Sequence, residues 1–466
     1  MAHERVVAQL RDAGFGEATA LAKAAFFSQC DKALDGIGAE AAGRVSVWAP
    51  GRIEVFGKHT DYAGGRSLLT AVERGFCSRA VARSDATIRV RGHDPMAGAP
   101  STDFALHCEL PMDASASASE GHWSHYVATV VRRVALNFPE ARTGVDLAFV
   151  SDLPQAAGAS SSTALMVSVF LAIAAVNSLQ DTPAWRASLP TREDLAAYMG
   201  AMEMGGAYRG LAGLDGVGTL GGCQDQTAIL CARPDHVVDF GWMPVRAIGA
   251  YALPASLRFV VAHSGIVAEK SAGARERYNR VSLMVRHIVA SWNATSGRAD
   301  GSLAAAAESG AEAHHALRAL VPSIETPVFS VDALQRRLEQ FLLETYTLIP
   351  AAAAAFAAND WLALSAAAEA SQHAAEEGLG NQIPETTALV RLARQYGAIA
   401  ASAFGAGFGG SVWALVDASR PGADDDFITL WAAAYGREFP VPAARAMFFS
   451  TSAGPAATHW TDADHT

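Results

Sequence analysis

The stretch Trp48-Ala-Pro-Gly-Arg-Ile-Glu-Val-Phe-Gly-Lys-His-Thr-Asp-Tyr-Ala-Gly-Gly65 constrains this chain most. Arg44 to Trp48 alternates like a strand, and Val55 and Phe56 are still apolar. Yet Arg52, Glu54, Lys58, His59, Asp61 and Arg66 crowd in without any period, among the turn residues Pro50, Gly51, Gly57, Gly64 and Gly65. A strand that breaks at Gly57 into a loop presenting side chains to a ligand accounts for this mixture. A strand, a turn and some solvated charge account for it less economically once two further glycine-rich stretches are considered.

The second stretch, Leu153-Pro-Gln-Ala-Ala-Gly-Ala-Ser-Ser-Ser-Thr163, follows the alternating segment Gly144–Val150 and precedes an apolar run from Ala164 to Val176. Strand, small-residue loop and helix start together hold anions well, because first-turn N–H groups are unpaired and the helix dipole favours negative charge. Ser160, Ser161 and Ser162 would add hydroxyls for phosphate oxygens or a magnesium ion. By itself the pattern also fits an ordinary serine-capped helix. The third stretch, Phe404-Gly-Ala-Gly-Phe-Gly-Gly-Ser411, feeds the strand-like Val412–Val416 and requires close backbone approach to something. Gly216-Val-Gly-Thr-Leu-Gly221 formally matches a dinucleotide fingerprint, but no clear strand precedes it, and that reading is rejected. Asp225, in Gly221-Gly-Cys-Gln-Asp-Gln226, is a carboxylate framed by glycines and glutamines. By pattern alone it is a capping Asp at a turn.

Composition bounds the class of molecule. Half of the 466 residues are hydrophobic and 18% are charged, a globular balance. Lys and Arg total 36 against 47 Asp and Glu, for a net charge of −11, with no basic block, so nucleic acid is not an expected partner. Charges within Met1–Asp12 argue against a secretory leader, and the run Ala164–Val176 is short for a bilayer, so no membrane partner is expected either. Five scattered cysteines without CxxC spacing suggest reduced thiols in a cytoplasm. Residues 1 to about 43 and 303–375 read as helical, and Gly98–Gly121 as a surface loop.

In this fixed order, with Asp225, the three stretches resemble those of the GHMP small-molecule kinases, and within them the galactokinase type. Gly51 to Gly65 is similar to the galactokinase signature, Pro154–Thr163 to the phosphate loop, and Gly405–Gly410 to the third, glycine-rich motif. The resemblance implies an α/β (α+β) fold of two lobes with the active site in the cleft between them. An N-terminal lobe is expected over 1–240 and a C-terminal lobe over 241–466. It implies ATP-dependent phosphorylation of a sugar's anomeric C1 hydroxyl, with ATP and Mg2+ as cofactors and the sugar and ATP as the partners. Asp225 would be the base, and Arg52 would neutralise charge on the transferring phosphoryl group, as phosphoryl transfer requires. The resemblance places the nucleotide phosphates at Gly158, Ala159, Ser160, Ser161 and Ser162, magnesium at Ser162 and Glu203, and the sugar at Lys58, His59, Asp61, Gly222 and Tyr278.

Three departures from the pattern matter. Ala156 and Ala159 replace the usual Gly and Leu of the phosphate loop, which leaves room for a sugar- and ATP-binding regulator with little turnover. The interval between Glu203 and Asp225 is longer than usual, which bears on the magnesium assignment. Lys58 replaces a Glu that in galactokinases contacts the far end of the sugar, and Glu54 replaces an Asn. A cation there suits a sugar carboxylate, as in galacturonate or glucuronate; pairing of Lys58 with Glu54 or another local acid would leave galactose as the substrate. Oligomeric state is not legible.

Overall fold

Strands β1 (Val45–Phe56) and β2 (Arg66–Ala82) form the antiparallel pair on which the larger sheet is built. The computed structural model describes residues 2–93, 106–109, 123–154, 158–266 and 272–461. Beyond β2 the sheet continues through β3 (Thr87–His93), β4 (Leu106–Glu109) and β5 (Val145–Ser151), in the order β2-β5-β3-β4, with β3 and β5 parallel. β2 is long enough to serve two neighbours. Its second half pairs with β5 and its first four residues with β6 (His236–Gly241), which pairs in turn with β7 (Arg246–Ala252). The expected loop at 98–121 thus contains a strand at Leu106–Glu109, and the rest of that span lies outside the described residues.

The smaller sheet is antiparallel: β8 (Leu257–His263), β9 (Ala400–Phe404), β10 (Ser411–Asp417) and β11 (Met447–Thr451), in the order β11-β8-β10-β9. The last strand, β12 (Thr458–Thr461), returns to the larger sheet and pairs antiparallel with β1. That sheet therefore takes strands from both sides of residue 240, where sequence reading drew its division. The mixed α/β class read from sequence holds.

Helices Ser161–Val176 and Glu17–Asp35 pack on the larger sheet, with Trp123–Asn137 against the first of them and Arg192–Met204 behind. The Ser161 helix is apolar all round and buried from Thr163 to Ala174, as a helix enclosed by protein must be. One core runs from Val45, Val47 and Ile53 through Val169 and Phe170 to Phe259 and Trp413 of the smaller sheet. A second, helical core gathers Ile288, Leu303, Leu317, Leu338 and Phe341. Val331–Ala358 is one long apolar run, with 56% of its most apolar window buried inside the protein. It loosens into a π-helical turn at Glu344–Leu348. Such turns are rare and cluster at functional sites.

Candidate active site

Two register shifts between β1 and β2, at Pro50/Arg52 and Glu54/Phe56, bracket the polar part of β1. Bulges of this kind re-aim side chains. Gly51 is needed at the first, since a Cβ there would lie 2.5 Å from Leu153 and 2.9 Å from the Ala159 carbonyl. Arg52 is buried, and its Nε donates to Asp225 Oδ1 at 2.9 Å. Its Nη1 donates to the Gly158 carbonyl and its backbone N–H to the Ala159 carbonyl at 3.3 Å. One side chain and its own backbone thus join the first motif to the phosphate loop and to Asp225.

Asp225 lies in the first turn of helix Gln224–Cys231, where the dipole favours an acid. Its other oxygen accepts from Ser160 Oγ. Ser160 precedes the Ser161 helix in left-handed conformation, φ 59, and makes no side-chain cap, so its hydroxyl is spent on Asp225. A helix start of this kind can receive an anion on its first-turn N–H groups. Ser161 and Ser162 begin the helix; Ala159 is buried; Ala156 lies outside the described residues. Gly158 has φ +72, and a Cβ on it would stand 3.6 Å from Gly410 Cα. The phosphate loop and the glycine hairpin between β9 and β10 therefore meet backbone to backbone, as the third motif requires.

Glu203 ends up beside this helix despite its distance from Asp225 in sequence. Its Oε2 accepts from Thr163 Oγ1 at 3.1 Å and from Gln226 Nε2 at 2.7 Å. The extra residues fold into a loop that closes where Val217 N–H donates to the Glu203 carbonyl at 2.8 Å. Arg133 clamps that loop through the Gly206 and Leu214 carbonyls. Among the described residues no three His, Cys, Asp or Glu form a metal cluster. One carboxylate beside a serine-rich helix start nonetheless suits Mg2+, which keeps waters and phosphate oxygens in most of its shell.

Asp61 Oδ2 accepts from Gln224 N–H at 3.1 Å, and burial first, then the nearby Asp225 charge, push its pKa up to about 6. Gly222 packs on that carboxylate so tightly that a Cβ would lie 2.2 Å from Oδ2. His59 has φ 57, and its ring lies 5.4 Å from the Tyr278 ring, tilted by 48°. The Ala406 carbonyl can only accept, so His59 Nε2 carries the proton and Nδ1 accepts from Tyr62. Burial and the Arg337 charge lower the His59 pKa to about 4. His59, Asp61, Gly222 and Tyr278 thus come together beside Asp225.

Lys58 does not hydrogen-bond Glu54. Its ammonium donates to Ser371 Oγ at 2.9 Å, and Ser371 donates to Glu344 Oε1 at 3.0 Å. Glu54 is held by Gln224 Nε2, and burial pushes its pKa up to about 7. Arg337 donates to the His59 carbonyl at 2.6 Å, and Gln340 Nε2 to the Lys58 carbonyl at 3.2 Å. Sequence reading missed Glu344, Ser371, Arg337, Gln340 and Gln224. The one available signal was Glu344 itself, an acid inside an otherwise apolar run.

Comparison with known proteins supplies the frame. Residues 32–78 match the galactokinase galactose-binding signature, 125–233 the GHMP kinases N-terminal domain, and 352–425 the GHMP kinases C-terminal model. The chain belongs to the GHMP kinases. Curated galactokinases of Actinobacillus pleuropneumoniae serotype 5b (strain L20) and Glaesserella parasuis serovar 5 (strain SH0165) are 34% and 36% identical to this GHMP kinase, over 124 and 129 residues. Those alignments cover 27% and 28% of this chain, and 30% and 31% of the relatives. In fold, Lactococcus lactis galactokinase complexed with galactose superposes with TM-score 0.70 at 21% identity, over 92% of this chain and 98% of that one. L. major mevalonate kinase in complex with R-mevalonate gives TM-score 0.52 at 14% identity, over 89% and 97%.

Proposed function

We propose that this GHMP kinase is a sugar 1-kinase: it transfers the γ-phosphoryl group of ATP to the anomeric C1 hydroxyl of galactose or a closely related neutral sugar. The observation that carries the reading is the Arg52–Asp225–Ser160 contact at the junction of phosphate loop, glycine hairpin and sugar signature. Asp225 takes the proton from the C1 hydroxyl as its oxygen bonds to the γ-phosphorus. The bond from that phosphorus to the β–γ bridging oxygen breaks, and ADP leaves with the electron pair. Arg52 holds Asp225 in place and puts a fixed positive charge beside the transferring group, where it needs no reorganisation.

Gly158, Ala159, Ser160, Ser161 and Ser162 line the path of the nucleotide phosphates, and Ser162 with Glu203 would hold magnesium. When bound, that ion would neutralise phosphate charge. Asp61 accepts from sugar hydroxyls, Gly222 leaves them room, and His59 and Tyr278 flank them. The uronate reading is disfavoured because the Lys58 ammonium is buried and donates to Ser371, which in turn donates to Glu344. A regulator without turnover would not need the Arg52–Asp225 pair. Unpaired Cys30, Cys77, Cys223 and Cys231 accord with a reducing, cytoplasmic setting.

The test is ADP release on a panel of galactose, glucose, arabinose, galacturonate and glucuronate, with Asp225→Ala as the blank. Turnover of a neutral hexose supports the reading. Binding of a sugar without any turnover favours a regulator, and turnover confined to a uronate sinks the neutral-sugar assignment.

A further inference from the structure

Lys58 lies inside the turn that carries His59 and Asp61, only 1% exposed. A cation there needs a negative partner, because burying an isolated charge is costly. Its hydrogen-bond acceptor, Ser371 Oγ, is neutral. The charge stands one hydroxyl further on: Glu344 Oε1 accepts from Ser371 at 3.0 Å and also from Gly57 N–H at 2.8 Å. Glu344 is fully buried, and its Oε2 has no hydrogen-bond partner among the described residues. The other nearby cation, Arg337, spends its Nη1 and Nη2 donors on Gln340 Oε1, the His59 carbonyl and the Tyr62 hydroxyl, all neutral. The other buried acid near Lys58, Glu54, faces Arg52 as well and is held by Gln224, which leaves Glu344 as the acid tied to Lys58 through a hydrogen-bonded relay.

We propose that Glu344, acting through Ser371, is the counter-charge that keeps Lys58 within this turn and so makes the site refuse a sugar carboxylate. Lys58 alone would draw an anionic sugar. With Glu344 behind it, an incoming carboxylate meets an ammonium already engaged and a like charge behind it. Glu344 is a positioning residue, since it touches the site only through Ser371 and the Gly57 N–H. The inference rests on the sugar-kinase reading and names the residue that sets its substrate class.

The test uses the full chain and measures calorimetric binding of galactose and of galacturonate without nucleotide, alongside turnover. Glu344→Gln keeps an acceptor for Gly57 and Ser371 and removes only the charge. The wild type is expected to bind galactose and to discriminate against galacturonate. Glu344→Gln should gain affinity for galacturonate about tenfold or more while holding galactose within a few-fold. Adding Lys58→Gln should cancel the gain, and Glu344→Asp should restore refusal. A folded Glu344→Gln with unchanged selectivity, in a chain that still phosphorylates galactose, overturns this inference and leaves the kinase reading standing. A wild type that binds neither sugar overturns both. Should Glu344→Gln fail to fold, Ser371→Ala cuts the same relay and must raise galacturonate affinity in the same direction; no change there also overturns the proposal.

Discussion

Arg52 and Asp225, 173 residues apart in sequence, meet with Nε at 2.9 Å and Nη2 at 2.8 Å from the same carboxylate oxygen. The pair leaves Asp225 held but partly open, its side chain 33% exposed against 4% for Arg52. Asp225→Asn should keep the fold and sugar binding while lowering kcat by about 10²–10⁴, the usual worth of a positioned base. Arg52→Lys loses the planar fork and should cost about 10²–10³ in kcat. ADP release with galactose-dependent thermal shift as the binding control checks both. Loss of sugar binding in Asp225→Asn would contradict the assigned role.

Gly222→Ala places a methyl 2.2 Å from Asp61 Oδ2 unless the helix start moves. Sugar KM should rise at least about tenfold with nucleotide binding unchanged, because the phosphate loop is held independently through Arg52. Separate titrations of galactose and of ADP decide it, and an equal loss of both would refute the division of labour.

Asp61 has its pKa pushed up to about 6 by burial, and as a carboxylate it accepts from sugar hydroxyls. Sugar affinity should therefore be full above about pH 7 and fall as pH drops through 6. Asp61→Asn should bind weakly with a flat profile. KM measured from pH 5 to 8 provides the comparison, and a wild-type KM independent of pH below 6 would exclude this role.

Stability has its own pH dependence. The native Glu54 pKa of about 7 lies above the 4.5 of the unfolded chain, so between those values the folded state binds more protons and this contribution falls as pH rises. Asp61 acts in the same direction between 3.8 and about 6. His59, lowered from 6.5 to about 4, acts oppositely: its neutral native form adds stability as pH rises through that window. The Glu54 share alone is a loss of stability as pH rises from 5 to 7. Glu54→Gln should remove that share, on the order of 2 kcal/mol, so that stability falls less between pH 5 and 7 than in the wild type. Urea midpoints at pH 5 and pH 7 for both proteins measure the difference.

Sequence made the three motifs visible because each needs residues that ordinary strands and helices avoid. Gly57 at φ +106, Gly158 at +72, and Gly405, Gly407, Gly409 and Gly410 all with positive φ are backbone states that leave a signature in composition. The pairing of Glu203 with the Ser161 helix was blurred by the inserted loop, whose closure on the Glu203 carbonyl no spacing rule reveals. Glu344 and Ser371 were invisible for a different reason. They sit in apolar, Ala-rich helices, and their partners Gly57 and Lys58 are 287 and 313 residues away. Long-range polar pairing leaves no local period to read. β12, which completes the larger sheet, was likewise too short and too distant to register.

That last pairing shapes how the protein is made. Trp48 Nε1 donates to the Pro455 carbonyl, 407 residues later, where the chain turns back to lay β12 along β1. At ribosomal speeds of about 5–20 residues per second, the outer edge of β1 waits roughly 20–80 s for its partner. Throughout that interval the strand leading into the sugar loop shows a row of unsatisfied amides and carbonyls to every neighbouring nascent chain. Its protection then falls to folding helpers and to slow production, so yield at low temperature and low expression rate is a property written into where the polypeptide closes its sheet.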